Sequence, residues 1–125
     1  MVVEIKKVGV IGAGQMGNGI AHVCAVAGFD VWLNDISVDR VQSGLASING
    51  NMARQVAKGL ITEDERTAAL DRLKPAESMD ELADVDLVIE SAVENEQIKR
   101  KIFAQLCPLL KPEAILATNT SSISI

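Results

Sequence analysis

The stretch Val8-Gly9-Val10-Ile11-Gly12-Ala13-Gly14-Gln15-Met16-Gly17 leaves this chain few folds to choose from. It reads as a buried β-strand running into a G-x-G-x-x-G turn that opens a helix, and each glycine has its own duty. Gly12 permits the tight turn, Gly14 lets a pyrophosphate approach the backbone, and Gly17 lets the helix pack close to the sheet. The amides of Gln15 and Met16 would point at that ligand from a helix N-terminus, where the helix dipole also favours negative charge. Glycines fall at these spacings by chance, so the context decides. Here a strand precedes the turn, a helix follows it, and an acid, Asp35, ends the next apolar run, Asp30-Val31-Trp32-Leu33-Asn34. That interval is close to the roughly 20 residues expected for the carboxylate that holds an adenosine ribose. The segment predicts a dinucleotide site.

From there strands and helices alternate. A helix from about Gln15 to Ala27 is predicted with Met16, Ile20, Val23 and Ala27 as its inward stripe and Gly28 as its C-cap. Ser37 is the N-cap of a long helix reaching about Lys58, with Val41, Leu45, Ile48, Met52 and Val56 inward. Asn51, Arg54 and Lys58 lie on its other side, either as a solvated face or with a basic pair able to meet a phosphorylated substrate tail. Thr62-Glu63-Asp64-Glu65 is a capping box for a further short helix. The two helices exceed a minimal crossover and read as an insertion over about residues 38–73. Leu73-Lys74-Pro75-Ala76 is a short strand weakened by its proline, and Met79-Asp80-Glu81-Leu82 is at most a helical turn. Residues 86–92 form a strong buried strand. Asn95 then caps a helix with Ile98, Ile102, Phe103, Leu106 and Leu110 inward, stopped by Pro112, and residues 114–118 are the last strand. The pattern predicts an α/β fold, a doubly wound parallel sheet. In such sheets ligands sit beyond the carboxyl ends of the strands. The glycine turn, Asp35, residues 91–94 and residues 119–122 each follow a strand, so the fold would gather them onto one edge.

The 125 residues suit one domain with a core of its own. Aromatic residues are only 2% of the chain (Phe29, Trp32 and Phe103), so the core must be Val, Ile, Leu and Ala, and a base-stacking nucleic-acid module is not expected. The formal charge of −5 works against polyanion binding and leaves any phosphate to local features. Cys24 and Cys107 sit in apolar helical patterns and read as buried free thiols of a cytosolic protein rather than a disulfide or metal pair; no metal site is expected. His22, the one histidine, reads as a solvated or hydrogen-bonded helix residue rather than a catalytic one. The amino terminus has no apolar leader core, and no run approaches the roughly 18 apolar residues that span a bilayer, so a soluble, cytoplasmic chain without a membrane partner is expected.

Gly12-Ala13-Gly14-Gln15-Met16-Gly17, Val93-Glu94-Asn95-Glu96 and Asn119-Thr120-Ser121-Ser122, in this order, resemble the 3-hydroxyacyl-CoA dehydrogenases, most closely the bacterial short-chain 3-hydroxybutyryl-CoA branch. The similarity runs over all 125 residues. It implies a Rossmann-type domain in which the glycine turn (Gly12, Gly14, Gln15, Met16, Gly17) and Asp35 hold the ADP half of NAD. Glu94 and Lys99 would approach the nicotinamide-side ribose and phosphates, Asn119 would line the nicotinamide region, and Ser121 would hydrogen-bond the substrate's 3-oxygen. The helical insertion would meet the CoA tail through Arg54 and Lys58. Asp35 argues for NAD over NADP, since a carboxylate there repels a 2′-phosphate and accepts from a 2′-hydroxyl. The implied enzyme is an NAD-dependent oxidoreductase of fatty acid metabolism with an acyl-CoA substrate, a homodimer at full length.

One departure is large. The family's proton-abstracting histidine and its partner glutamate, in an H-F-x-N-P-like segment, have no counterpart in these residues, and neither does the helical C-terminal domain. The expectation is therefore an NAD-binding domain truncated before that domain and lacking a general base. Two other readings remain open: the corresponding half of a 6-phosphogluconate-type or sugar-nucleotide dehydrogenase, and a non-catalytic structural relative resembling lambda-crystallin.

Overall fold

The computed structural model describes residues 5–35, 37–91 and 96–118. In chain order the elements are β1 (Lys7–Ile11), α1 (Gln15–Ala27), β2 (Asp30–Asn34), α2 (Val38–Ala57), α3 (Glu63–Arg72), β3 (Leu73–Ala76), a 3-10 turn (Met79–Leu82), β4 (Leu87–Glu90), α4 (Glu96–Leu106) and β5 (Ile115–Thr118). The five strands form one parallel sheet in the order β3-β2-β1-β4-β5. This is the doubly wound sheet that the alternation of strands and helices predicts, with the reversal of strand order at β1 and β4.

Side-chain alternation along the strands separates two apolar layers. On one face Val8, Val10, Val31 and Leu33 meet Ala21 and Ala25 of α1, Ile48 and Met52 of α2 and Ala69 of α3. On the other, Ile11, Ala76 and Val88 meet Leu82 of the 3-10 turn and Ile102 and Leu106 of α4. A strand buried on both faces reads as an unbroken apolar run, which is how β1 reads. β3, with Pro75, pairs only with β2, so the missing N–H falls on an edge strand, where it is tolerated.

Local chemistry fixes the element ends. The Ser37 hydroxyl accepts from the Arg40 amide at 3.4 Å and opens α2. Thr62 and Glu65 form the reciprocal capping box of α3, both bonds at 3.0 Å. Gly28, at φ 108°, closes α1 in the left-handed conformation, and Arg72 of α3 reaches the Ala25 carbonyl at 2.8 Å.

Several expectations are corrected. The inward stripe of α1 is Gly17, Ala21 and Ala25; Met16 and Val23 are 60% and 67% exposed. A helix laid close on a sheet has room only for small residues at the contact, so small size decided the face where hydrophobicity did not. α4 ends at Leu106 rather than near Pro112, because Pro108 disfavours helical backbone at Cys107, the residue before it. Cys107 is consequently exposed and Cys24 half-buried; both are free thiols, neither of them fully buried. β4 is shorter than residues 86–92, and the expected cap at Asn95 lies outside the described residues.

The amino ends of the strands are tied by one carboxylate. Asp86 accepts from the Lys111 ammonium and from the backbone amides of Lys6 (2.8 Å) and Lys7 (2.9 Å). The hydrogen bond from Lys111, then the two amides, hold the Asp86 carboxyl far below the usual carboxylate range. Because the folded-state value is the depressed one, this stabilisation is complete above the unfolded carboxylate's pKa of about 4 and is lost as the pH falls through the folded value. Asp86→Asn should therefore lower stability by about 1–2 kcal/mol at pH 7. In urea melts its difference from the unsubstituted chain should shrink steadily below about pH 4; a difference independent of pH would show that the charge is irrelevant.

Candidate functional site

The site grows out of the turn between β1 and α1. Gly12 has φ 109°, a conformation that favours glycine, and its amide donates to the Asn34 carbonyl at 2.7 Å, tying the turn to the end of β2. A Cβ on Gly17 would lie 1.7 Å from the Gly12 carbonyl oxygen and 2.8 Å from Ser91 Oγ, so α1 reaches its depth only because residue 17 has no side chain. Gly14 differs. Among the described residues nothing lies within 4 Å of where its Cβ would be. As the N-cap of α1, Gly14 offers no capping side chain, and the first turn carries no acid. A helix start with neither feature places the positive end of its dipole at this edge without an acidic side chain of its own first turn.

Asp35 stands directly beside this turn. Its Oδ2 accepts from the Ala13 amide at 2.8 Å and its Oδ1 from the Ser37 amide at 3.2 Å. An ionised carboxylate has about four acceptor positions, so two backbone donors fix its orientation and leave capacity for ligand hydroxyls. A glycine turn at a helix start and a backbone-held carboxylate are thus adjacent, an arrangement that matches what an adenine dinucleotide requires. The residues present fit NAD.

Across β1 from Asp35 lie the ends of β4 and β5. Ser91, just after β4, donates from its amide to the Ile11 carbonyl at 2.9 Å and packs against Gly17. Glu94, Asn119 and Ser121 fall outside the described residues, as does the side chain of Lys99, which sits on the first turns of α4. Two polar side chains are buried among the described residues, Asn34 and Glu90, both at carboxyl ends of strands flanking Ile11.

A second feature adjoins the turn. Between the start of α1 and one face of α2 runs an open groove of about 750 Å³. Gly14, Gln15 and Asn18 form one wall, and Arg40, Ser43, Ser47, Asn51 and Arg54 form the other. Arg54, a sequence candidate, lines it and donates to Asn51 Oδ1; Lys58, the C-cap of α2, does not line it. Sequence reasoning missed Arg40, Ser43 and Ser47. Their signal was available as helical spacing, since 40, 43, 47, 51 and 54 share one face. His22 hydrogen-bonds Gln55 at 2.8 Å, joining α1 to α2 away from the cradle.

A family model described as the NAD binding domain of 3-hydroxyacyl-CoA dehydrogenase matches residues 7–125. A 3-hydroxybutyryl-CoA dehydrogenase of Bradyrhizobium diazoefficiens is 68% identical over all 125 residues, which cover 43% of that protein. A 3-hydroxyadipyl-CoA dehydrogenase of Escherichia coli is 41% identical over the whole chain, which covers 26% of it. The crystal structure of (S)-3-hydroxybutyryl-CoA dehydrogenase from Ralstonia eutropha superimposes with a TM-score of 0.93 at 45% identity, over 98% of this chain and 43% of that one. The chain thus spans less than half the length of these relatives.

The two glycines separate folding from binding. Gly14→Ala should keep stability within about 0.5 kcal/mol and weaken NADH binding at least about tenfold, because its methyl enters the open cradle. Gly17→Ala should cost about 3 kcal/mol or more through the clash with the Gly12 carbonyl. Paired urea melts and NADH titrations check both; a Gly14→Ala protein with unchanged affinity would remove the cradle from the site.

Proposed function

Since the chain belongs to the 3-hydroxyacyl-CoA dehydrogenase family and matches its NAD-binding domain, we propose that it forms the NAD-binding part of an enzyme interconverting (S)-3-hydroxybutyryl-CoA and acetoacetyl-CoA. The observation that carries this reading is the Asp35 carboxylate seated on the Ala13 amide beside the open cradle of Gly14. Strands lie about 4.8 Å apart. A dinucleotide with its adenosine ribose at Asp35 and its pyrophosphate at the glycine turn therefore extends over the ends of β4 and β5. That is where Glu94, Lys99, Asn119 and Ser121 belong by sequence, and the reading gives them the nicotinamide side. Glu94 and Lys99 approach the ribose and phosphates, Asn119 lines the nicotinamide region, and the Ser121 hydroxyl donates to the substrate's 3-oxygen, stabilising charge as it develops there.

NAD, when bound, supplies the hydride acceptor. The chain's own contribution is to orient that ring and exclude water from it. None of the 125 residues is assigned the hydroxyl proton: His22, engaged with Gln55 between two helices, is remote from this edge in the fold. The CoA tail is assigned to the α2 side, with Arg54 in the groove as its principal phosphate partner and Lys58 secondary. A cytoplasmic location and a dimeric full-length enzyme go with the reading. No helix among the described residues is long and apolar enough to cross a membrane.

Trp32, the one tryptophan, provides the assay, since its emission can be transferred to bound NADH. Asp35→Ala should weaken NADH binding about tenfold or more, the worth of a charged hydrogen bond to the ribose; unchanged affinity would sink the reading. Titration calorimetry with CoA should show Arg54→Ala weakening binding at least about fivefold and Lys58→Ala less than about twofold, as an exposed charge does. Equal losses would reverse that assignment.

A further inference from the structure

Asn34 is out of character where it stands. It ends β2, pairs in register with Ile11 and Ala76, and is 4% exposed within an apolar layer that includes Ile11, Ala76 and Leu82. Asparagine is a poor strand former, and a buried amide is costly unless bonded, so packing gives no reason for it here. Its bonds do. Nδ2 donates to the Ala76 carbonyl at 2.8 Å, fastening the end of β2 to the end of the edge strand β3. Its own carbonyl accepts from the Gly12 amide at 2.7 Å, and the next residue is Asp35, whose carboxylate sits on the Ala13 amide. One residue thus joins β3, the glycine turn and the acid.

We propose that Asn34 is the positioning residue for cofactor choice: by fastening the end of β2 to β3 it holds the Asp35 carboxylate where a 2′-hydroxyl is accepted and a 2′-phosphate is repelled. This rests on the reading of Asp35 given above. Repulsion between two anions falls with their separation, and a carboxylate on an unfastened strand end can swing away from an incoming phosphate. Loss of the Asn34 amide should therefore damage discrimination between NADH and NADPH, a property that stability alone does not set.

The test measures NADH and NADPH dissociation constants for the 125-residue chain and its variants. Asp35→Ala should bring the NADPH/NADH ratio close to one; if it leaves the ratio unchanged, the Asp35 reading fails, whatever Asn34 does. Given that collapse, Asn34→Leu, of similar volume without a donor, should lower the ratio about tenfold, and Asn34→Ala should do likewise should the leucine variant not fold. In the Asp35→Ala background neither should lower it further, because the two residues act as one unit. Val31→Ala, which hollows the same strand on its opposite face, should lower the melting temperature and leave the ratio intact. The proposal is overturned if both Asn34 variants keep the ratio of the unsubstituted chain, or if Val31→Ala moves it equally.

Discussion

The architecture depends on how closely α1 can approach the turn that precedes it. With the Gly12 carbonyl oxygen 1.7 Å from the position of an absent Cβ at residue 17, the helix start and the end of β1 are nearly in backbone contact. That approach sets the depth of α1 on the sheet, which is why its contact face is Gly17, Ala21 and Ala25. It also brings the first amides of α1 to the same edge as Asp35 and Ser91. An anion site made of backbone dipoles is accurate only when the backbone itself has nowhere else to go.

The polar interactions are divided between the two edges of the sheet. At the amino edge Asp86 collects an ammonium and two amides, and Lys7 pairs with Asp84 at 2.6 Å. At the carboxyl edge the described polar groups hold others in place: Asp35 on the Ala13 amide, Asn34 on the Ala76 carbonyl, Ser91 against the glycine turn. The amino edge ties chain segments together through charge; the carboxyl edge holds the glycine turn and Asp35 in place. A net charge of −5 does not decide what that second edge can meet, because helix dipoles and the arginines of the groove act over short distances that overall charge does not control.

The two candidate features, the glycine cradle and the groove along α2, share Gly14, Gln15 and Asn18 at their boundary. A cofactor on one side and a phosphorylated tail on the other would approach the same helix start from different directions. Asn18 links the two: its Oδ1, buried and without a hydrogen-bond partner among the described residues, lies against Gly44 of α2, where a Cβ would be 2.5 Å from it. Small residues at both Gly17 and Gly44 therefore let the sheet, α1 and α2 stack closely enough for the two features to be neighbours.

Much was legible in the sequence because it is written in local rules. The glycine spacing, the acid that ends the next strand, the Ser37 cap and the Thr62 capping box each depend on a few adjacent residues, and the structure forms each of them. Alternation of strand and helix was enough to predict the parallel sheet. Other features depended on which residues met across space. Hydrophobicity pointed to Met16 and Val23 as the inner face of α1, and close packing chose alanines instead. The burial of Asn34, the partner of its amide 42 residues away and the groove facing Arg54 exist only once β3 lies beside β2 and α2 beside α1. Sequence by itself determined the elements and the class of ligand, since backbone conformation and periodicity are properties of neighbours in the chain. The tertiary structure decided which side chains are buried, fastened or open, since those depend on what another part of the chain brings within hydrogen-bond reach.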